Sequence, residues 1–128
     1  RRVLLRVDNN ILKLDSAFDA TVRLMNNPQS PSYSVERTVG NMLKFEGRLI
    51  VQTMFLRGTI GGVAIDNTVE EEISAWLDIL KRVRPMKVMA YTIDRDTPAQ
   101  TLEKVSVEEL RRIAGRVENL GIECSVAG

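Results

Sequence analysis

Chemically useful side chains are few in this 128-residue sequence, and they gather at the ends of apolar runs. Lys13 and Asp15 close the run Ile11-Leu12-Lys13-Leu14, and Ser16 follows directly. Side chains alternate across a strand, so Lys13 and Asp15 share one face. A lysine between two leucines is costly to bury unless it is paired. The spacing leaves two readings open: a structural Lys13–Asp15 pair or polar strand edge, and a charged pair set to hold a ligand. A second run, Leu49 to Leu56, puts Gln52 and Met54 on one face and Thr53 and Phe55 on the other. Arg57, Gly58, Gly61 and Gly62 come next. Amides of such a glycine-containing stretch can cradle an anion, but Walker or Rossmann spacing is missing, so it reads as a plain loop to Asn67. A third run ends at Tyr91-Thr92, with Thr92 on the side of Ala90 and with Asp94 and Arg95 on the rim. Arg57, Asp94 and Arg95 hint at a charged substrate; the plainer reading of the last two is a surface ion pair. Cys124 lies inside a fourth run and reads as core, not as a nucleophile.

Composition removes several chemistries. With no histidine and one cysteine, the sequence cannot build a serine–histidine hydrolase, a self-contained zinc enzyme or an internal disulfide. Lys plus Arg number 18 against 17 Asp plus Glu, for a net charge of +1. That balance gives no case for nucleic-acid binding. No apolar run is long enough to span a membrane, and no signal-peptide core is visible, so a cytoplasmic location is expected. The sequence opens Arg1-Arg2-Val3 inside an apolar, helix-like phrase without Met, and is expected to be a piece of a longer protein.

The elements that must position these residues follow from periodicity. Val3, Leu4 and Val7 suggest the last turns of a helix over residues 1–8. Ile11 to Leu14 is a short buried strand, Phe18 to Met25 a short helix, and Pro28 to Ser32 a loop. Ser34 caps a helix through Phe45 that Gly47 stops. Leu49 to Leu56, nearly all apolar, suits a parallel strand covered on both faces. Thr68 and Glu71 form a capping box. The helix they open buries Val69, Ile73, Trp76, Leu77 and Leu80, and ends at Pro85. The cluster Glu70 to Glu72 suits its positive end and is not a metal site. Lys87 to Thr92 is the third strand. Ser106 and Glu109 form a second capping box, Gly121 stops the helix, and Ile122 to Val126 is the fourth strand. Strands recur about every 35 to 40 residues, and alternation of this kind implies a parallel sheet with right-handed crossovers. About four βα units are half of an eight-stranded barrel, which needs about 250 residues. The fold class is therefore α/β, either a small open sheet or half of a barrel, in one domain over residues 1–128.

Four stretches together resemble the second half of radical S-adenosylmethionine (radical SAM) enzymes. They are Leu12 to Ser16, Ile50 to Gly58, Val88 to Arg95 and Val105 to Leu110. The similarity is to the Fe–S oxidoreductase group that includes wybutosine-synthesis enzymes, and to pyruvate formate-lyase activating enzymes. It implies a partial TIM-type (β/α)6 barrel binding S-adenosylmethionine and a [4Fe-4S] cluster. In that family the cluster reductively cleaves the cofactor, and a 5′-deoxyadenosyl radical abstracts hydrogen from substrate. The family's Cys-x3-Cys-x2-Cys loop and Gly-Gly-Glu-like motif do not occur here. The resemblance thus implies the C-terminal part of such an enzyme, inactive alone and without cofactors of its own.

By the same resemblance, Lys13 and Asp15 match a polar pair that reaches the methionine end or ribose of the cofactor, and Ser16 adds a ribose contact. Gln52 faces the ribose or carboxylate region with Met54 beside it, and Thr92 matches a ribose-binding position. The inner face would then hold Lys13, Asp15, Gln52, Met54, Ala90 and Thr92 together. Self-association is expected across the sheet edge at Ile11 to Leu14, because an unpaired strand edge invites another chain. The alternative is a non-enzymatic α/β binding or interaction domain of half-barrel architecture.

Overall fold

Four of the apolar runs become parallel strands of one sheet. The computed structural model describes residues 10–26, 34–93 and 102–127. The helix expected over 1–8 and the loop from Pro28 to Ser32 lie outside the described residues. In chain order the elements are β1 (Ile11–Lys13), α1 (Asp19–Asn26), α2 (Val35–Leu43), β2 (Ile50–Phe55), β3 (Arg57–Ile60), β4 (Val63–Asp66), α3 (Glu70–Val83), β5 (Lys87–Thr92), β6 (Leu102–Glu103), α4 (Val107–Glu118) and β7 (Glu123–Ala127). The parallel sheet runs β1-β2-β5-β7, so each helical connection returns the chain to the next parallel position. Among the described residues the sheet does not close. The architecture is mixed α/β, with a four-stranded parallel sheet and four helices, as in part of a β/α barrel.

One face of this sheet carries the main core. Val51, Phe55, Val88 and Ala90 from the strands pack with Val22 of α1, Val39 and Met42 of α2, Trp76 and Leu80 of α3, and Leu110 and Val117 of α4. All four helices therefore lie against one side. Burial along β2 alternates: Val51, Thr53 and Phe55 are buried, while Ile50, Gln52 and Met54 are half-exposed. β5 repeats the alternation. This corrects the expectation of a strand covered on both faces. The apolar run is real, but half of it faces away from the helices.

The stretch after β2 is also corrected, from loop to sheet. β3 and β4 form an antiparallel hairpin in which Ile60 faces Val63. The two residues between them, Gly61 at φ 58° and Gly62 at φ 82°, both take the left-handed conformation. A two-residue turn with positive φ at both positions matches the right-handed twist of the flanking strands, and glycine adopts it without strain. β6 pairs with β3 on the other side, giving a second sheet ordered β4-β3-β6.

Helix ends follow local chemistry, with one exception. The Ser34 side chain accepts from Arg37 N at the start of α2, and Ser106 accepts from Glu109 N at the start of α4. The capping box expected at Thr68 does not form. Helix α3 is preceded by Val69, which is 45% exposed, and no side chain caps it. Asp66 takes the Thr68 amide and hydroxyl instead. α3 ends at Arg84, left-handed at φ 49°, whose guanidinium donates to Leu120 O at 2.8 Å.

Candidate functional site: the open face of the parallel sheet

Pairing register decides which side chains share the face without helices. Lys13 pairs with Gln52, Gln52 with Met89, and Met89 with Ser125, so these four form one row across the sheet. The next row toward the strand ends is Met54, Tyr91 and Ala127. The Gln52, Met54, Met89, Tyr91 and Ser125 residues are all half-exposed. A carboxamide, a phenol, a hydroxyl and an ammonium thus stand together on a sheet face that no described helix covers.

Lys13 and Asp15 meet as the sequence suggested: Nζ lies 3.2 Å from Oδ2. Their environments differ. The Lys13 side chain is 46% exposed, whereas that of Asp15 is fully buried. Partial burial pulls the Lys13 ammonium down. The charge and hydrogen bond of Asp15, with a further contribution from Tyr91, outweigh it and hold the pKa above the usual lysine value. The other Asp15 oxygen accepts from Met54 N at 2.9 Å. β1 has ended by then, so this carboxylate continues the ladder along β2. Asp15 anchors the strand end, and the Lys13 ammonium stays half-exposed at the open face.

Ser16 is buried, donating to Glu72 Oε1 at 2.7 Å and accepting from Phe18 N at 2.9 Å. Thr21 donates to the other Glu72 oxygen at 2.6 Å. Ser16 thus ties the β1–α1 turn to α3. Thr92 requires a correction. It pairs with Phe55, not with Met54, and lies on the helix-covered face together with Ala90. Its hydroxyl donates to Phe55 O at 2.7 Å and accepts from Val105 N at 3.0 Å. Alternation fixes faces within a strand; only register carries them from one strand to the next. Gln52 stands in the Lys13 row, and Met54 packs at its end against a small apolar cluster under the hairpin.

Arg57 is bound on three sides. It donates to Asp66 at 3.3 Å, to the Thr68 hydroxyl at 2.7 Å and to Glu109 at 2.6 Å. The Glu109 hydrogen bond leads in raising its already high pKa. The guanidinium clasps the hairpin to the starts of α3 and α4. Asp94 and Arg95 lie outside the described residues.

Sequence reading missed two participants. Tyr91 belongs to the open face, and Lys87 at the head of the same alternation was the available signal, since a lysine does not enter a dry core. Asn67, only 1% exposed, is the joint of the strand ends. It accepts from Leu56 N at 3.0 Å and donates to Asp15 O and Met54 O, both at 2.9 Å.

The donor set bears on the cofactors that the resemblance implies. An iron–sulfur cluster needs several thiolates, and the sequence has one cysteine. Burial, with Glu118 nearby, pushes the Cys124 thiol up to about 11, away from the thiolate a metal takes. No group of three or more metal-ligating side chains exists among the described residues. The chain's own residues do not fit a cluster. Lys13, Gln52, Tyr91 and Ser125 supply an ammonium, a carboxamide, a phenol and a hydroxyl on the open face.

No protein-family model matches the sequence, and no curated protein matches it. Solved structures do. A radical SAM methyltransferase from Sphaerobacter thermophilus superposes with a TM-score of 0.68 at 17% identity, over 91% of this chain and 33% of that one. A domain of a pyruvate-formate lyase-activating enzyme from Bacteroides vulgatus gives a TM-score of 0.65 at 12% identity, over 92% of this chain and 66% of that one. At such identities the likeness is one of fold. The chain has a radical SAM-like fold and spans one third of the first structure and about two thirds of the second. No described helix is long and apolar enough to cross a membrane.

Proposed function

We propose that this chain is the C-terminal part of a radical SAM Fe–S oxidoreductase and, departing from the expectation that the piece holds no cofactor of its own, that its open sheet face binds S-adenosylmethionine without the rest of the enzyme. The observation that carries the reading is the row Lys13–Gln52–Met89–Ser125 on a sheet face that no described helix covers, in a fold like that of radical SAM proteins. Lys13 and Gln52 would hold the charged amino-acid end of the cofactor, with Tyr91 steadying the Lys13 ammonium and Asp15 fixing the strand end beneath it. The chemistry S-adenosylmethionine supplies when bound and reductively cleaved is hydrogen abstraction through a 5′-deoxyadenosyl radical. The electron must come from a cluster held by residues other than these. A cytoplasmic location and a single domain over 1–128 belong to the same proposal.

Calorimetric titration with S-adenosylmethionine tests it. Loss of one charge-assisted contact in Lys13→Met is expected to weaken binding by about 10- to 150-fold, equivalent to about 1.5–3 kcal/mol. Equal affinity in the variant, or none in the parent chain, contradicts the reading. Reconstitution of the chain alone with iron and sulfide is expected to give no visible charge-transfer absorbance and no radical chemistry. Self-association across the β1 edge completes the proposal. Among the described residues β1 pairs with β2 on one side only. Light scattering at high concentration should read a dimer, and a strict monomer contradicts this part.

The alternative is a non-enzymatic α/β binding or interaction module of half-barrel architecture. It predicts that S-adenosylmethionine does not bind.

A further inference from the structure

Where β1 ends, side chains take over its hydrogen bonding to β2. The backbone ladder reaches Leu14 N, which donates to Gln52 O at 3.0 Å. Further on, the Met54 amide donates to the Asp15 carboxylate at 2.9 Å in place of a backbone carbonyl. The Met54 carbonyl accepts from the Asn67 side chain at 2.9 Å. Both backbone groups of Met54 are thus held by side chains. Those two side chains are joined in turn, because the Asn67 amide also donates to Asp15 O at 2.9 Å.

The hairpin delivers Asn67 to this point, directly after β4. Asn67 meets Leu56 in both directions: its side-chain oxygen accepts from Leu56 N at 3.0 Å, and its own N donates to Leu56 O at 3.4 Å. The carboxamide therefore accepts once and donates twice. An aspartate in its place is acceptor-only when ionised and would set a carboxylate against two carbonyl oxygens. An amide only 1% exposed, with its oxygen and both N–H groups engaged, is a rigid reference for the strand ends.

Asp15 takes its orientation from that reference. Asn67 holds its backbone oxygen, Met54 N holds Oδ1, and Oδ2 faces the Lys13 ammonium at 3.2 Å. The Lys13 side chain is long and 46% exposed, so its place depends on a counter-charge that does not move. Three buried contacts thus connect Asn67 to a charge on the open face without Asn67 reaching that face itself.

We propose that Asn67 is a positioning residue for the ligand face: it fixes Asp15 and Met54 together and through Asp15 aims the Lys13 ammonium at the charged end of the cofactor. This rests on the reading of the open face as the S-adenosylmethionine site.

The test compares the parent chain, Asn67→Ala and the control Thr92→Val, which removes two buried hydrogen bonds on the helix-covered face. Two quantities are read at pH 7: the inequivalence of the two Lys13 Hε protons by NMR without ligand, and S-adenosylmethionine affinity by calorimetry. Inequivalent protons mark a side chain held in one place. They are expected in the parent and in Thr92→Val, and are expected to merge in Asn67→Ala. Affinity should fall about two- to thirtyfold in Asn67→Ala and stay within about twofold in Thr92→Val, although both variants lose stability. Should Asn67→Ala not fold, Asn67→Ser, which keeps a small polar group, is read in its place with the same expectations. Merged protons in the parent, unaltered inequivalence in the Asn67 variant, or equal losses of affinity in the Asn67 and Thr92 variants overturn the proposal. If the parent binds and the Asn67 variant binds equally well, positioning is wrong and the cofactor reading stands. If the parent does not bind while the protons merge in the Asn67 variant, the proposed function fails and the hold of Asn67 on Lys13 stands.

Discussion

Thr53 and Gln52 are neighbours in β2, yet their side chains meet opposite circumstances. On the helix-covered face the Trp76 indole donates to the Thr53 hydroxyl at 3.0 Å, which donates to Leu14 O at 2.7 Å. Phe55 and Trp76 meet edge to face at 5.2 Å. On that side each buried hydroxyl is engaged within the fold, as the cost of an unmade buried hydrogen bond requires. On the open face, Gln52, Tyr91 and Ser125 stand half-exposed beside the Lys13 ammonium. Two faces of one sheet, built by the same alternation, are thus used differently. One face secures the fold, and the other offers polar groups outward.

The contrast can be broken most severely from the covered side. Trp76→Ala removes a fully buried ring and its hydrogen bond to Thr53, and should cost about 3–5 kcal/mol in chemical denaturation. A loss under about 1 kcal/mol would mean that the covered face is not the stabilising one. Asn67→Ala comes next. It leaves the buried Leu56 amide without its acceptor and should cost about 2–3 kcal/mol. Asp15→Asn is expected to cost about 1–2 kcal/mol, because the amide oxygen keeps the Met54 contact and the half-exposed Lys13 ammonium turns to water. A much larger loss would show that Lys13 is trapped and that the pair is purely structural.

Titration gives the finest comparison. The Lys13 pKa is raised in the folded state, so its contribution is full below the usual value of 10.5 and is lost as pH rises through the folded value. Parent protein should lose stability above about pH 10.5 more steeply than Lys13→Met. Glu70, fully exposed, is held down to about 2, first by its hydrogen bonds to Arg116 and then by Ser74. Its contribution is present above the ordinary 4.5 and is lost as pH falls toward about 2. Carboxyl NMR should place its midpoint near 2, and Arg116→Ala should return it upward.

Much of this contrast was legible in the sequence, for identifiable reasons. β5 is read to the residue because Lys87 and Thr92 bracket an apolar run, and α4 because Ser106, Glu109 and Gly121 mark both ends. The Lys13–Asp15 pair follows from alternation alone. The face of Thr92 depends on a register with Phe55 that no local pattern encodes. The hairpin carries a local signal in Gly61-Gly62 between Ile60 and Val63, but the pairing of Arg57 to Ile60 with Val63 to Asp66 appears only in the fold. Asn67 carries no signal of its own, since its role exists only once three strand and helix ends converge on it. Neither was the hidden partner of Arg57 readable, for Glu109 lies 52 residues away and meets it only through the fold.

The most direct measurement is a residue-resolved NMR titration of the chain with S-adenosylmethionine that reads both faces at once. Saturable shifts of the Gln52 carboxamide and of the Tyr91 and Ser125 amides are expected, with the Trp76 indole and the Thr53 amide nearly unmoved. Absence of saturable shifts, or shifts centred on Trp76 and Thr53 instead, would contradict the assignment of the open face as the ligand face.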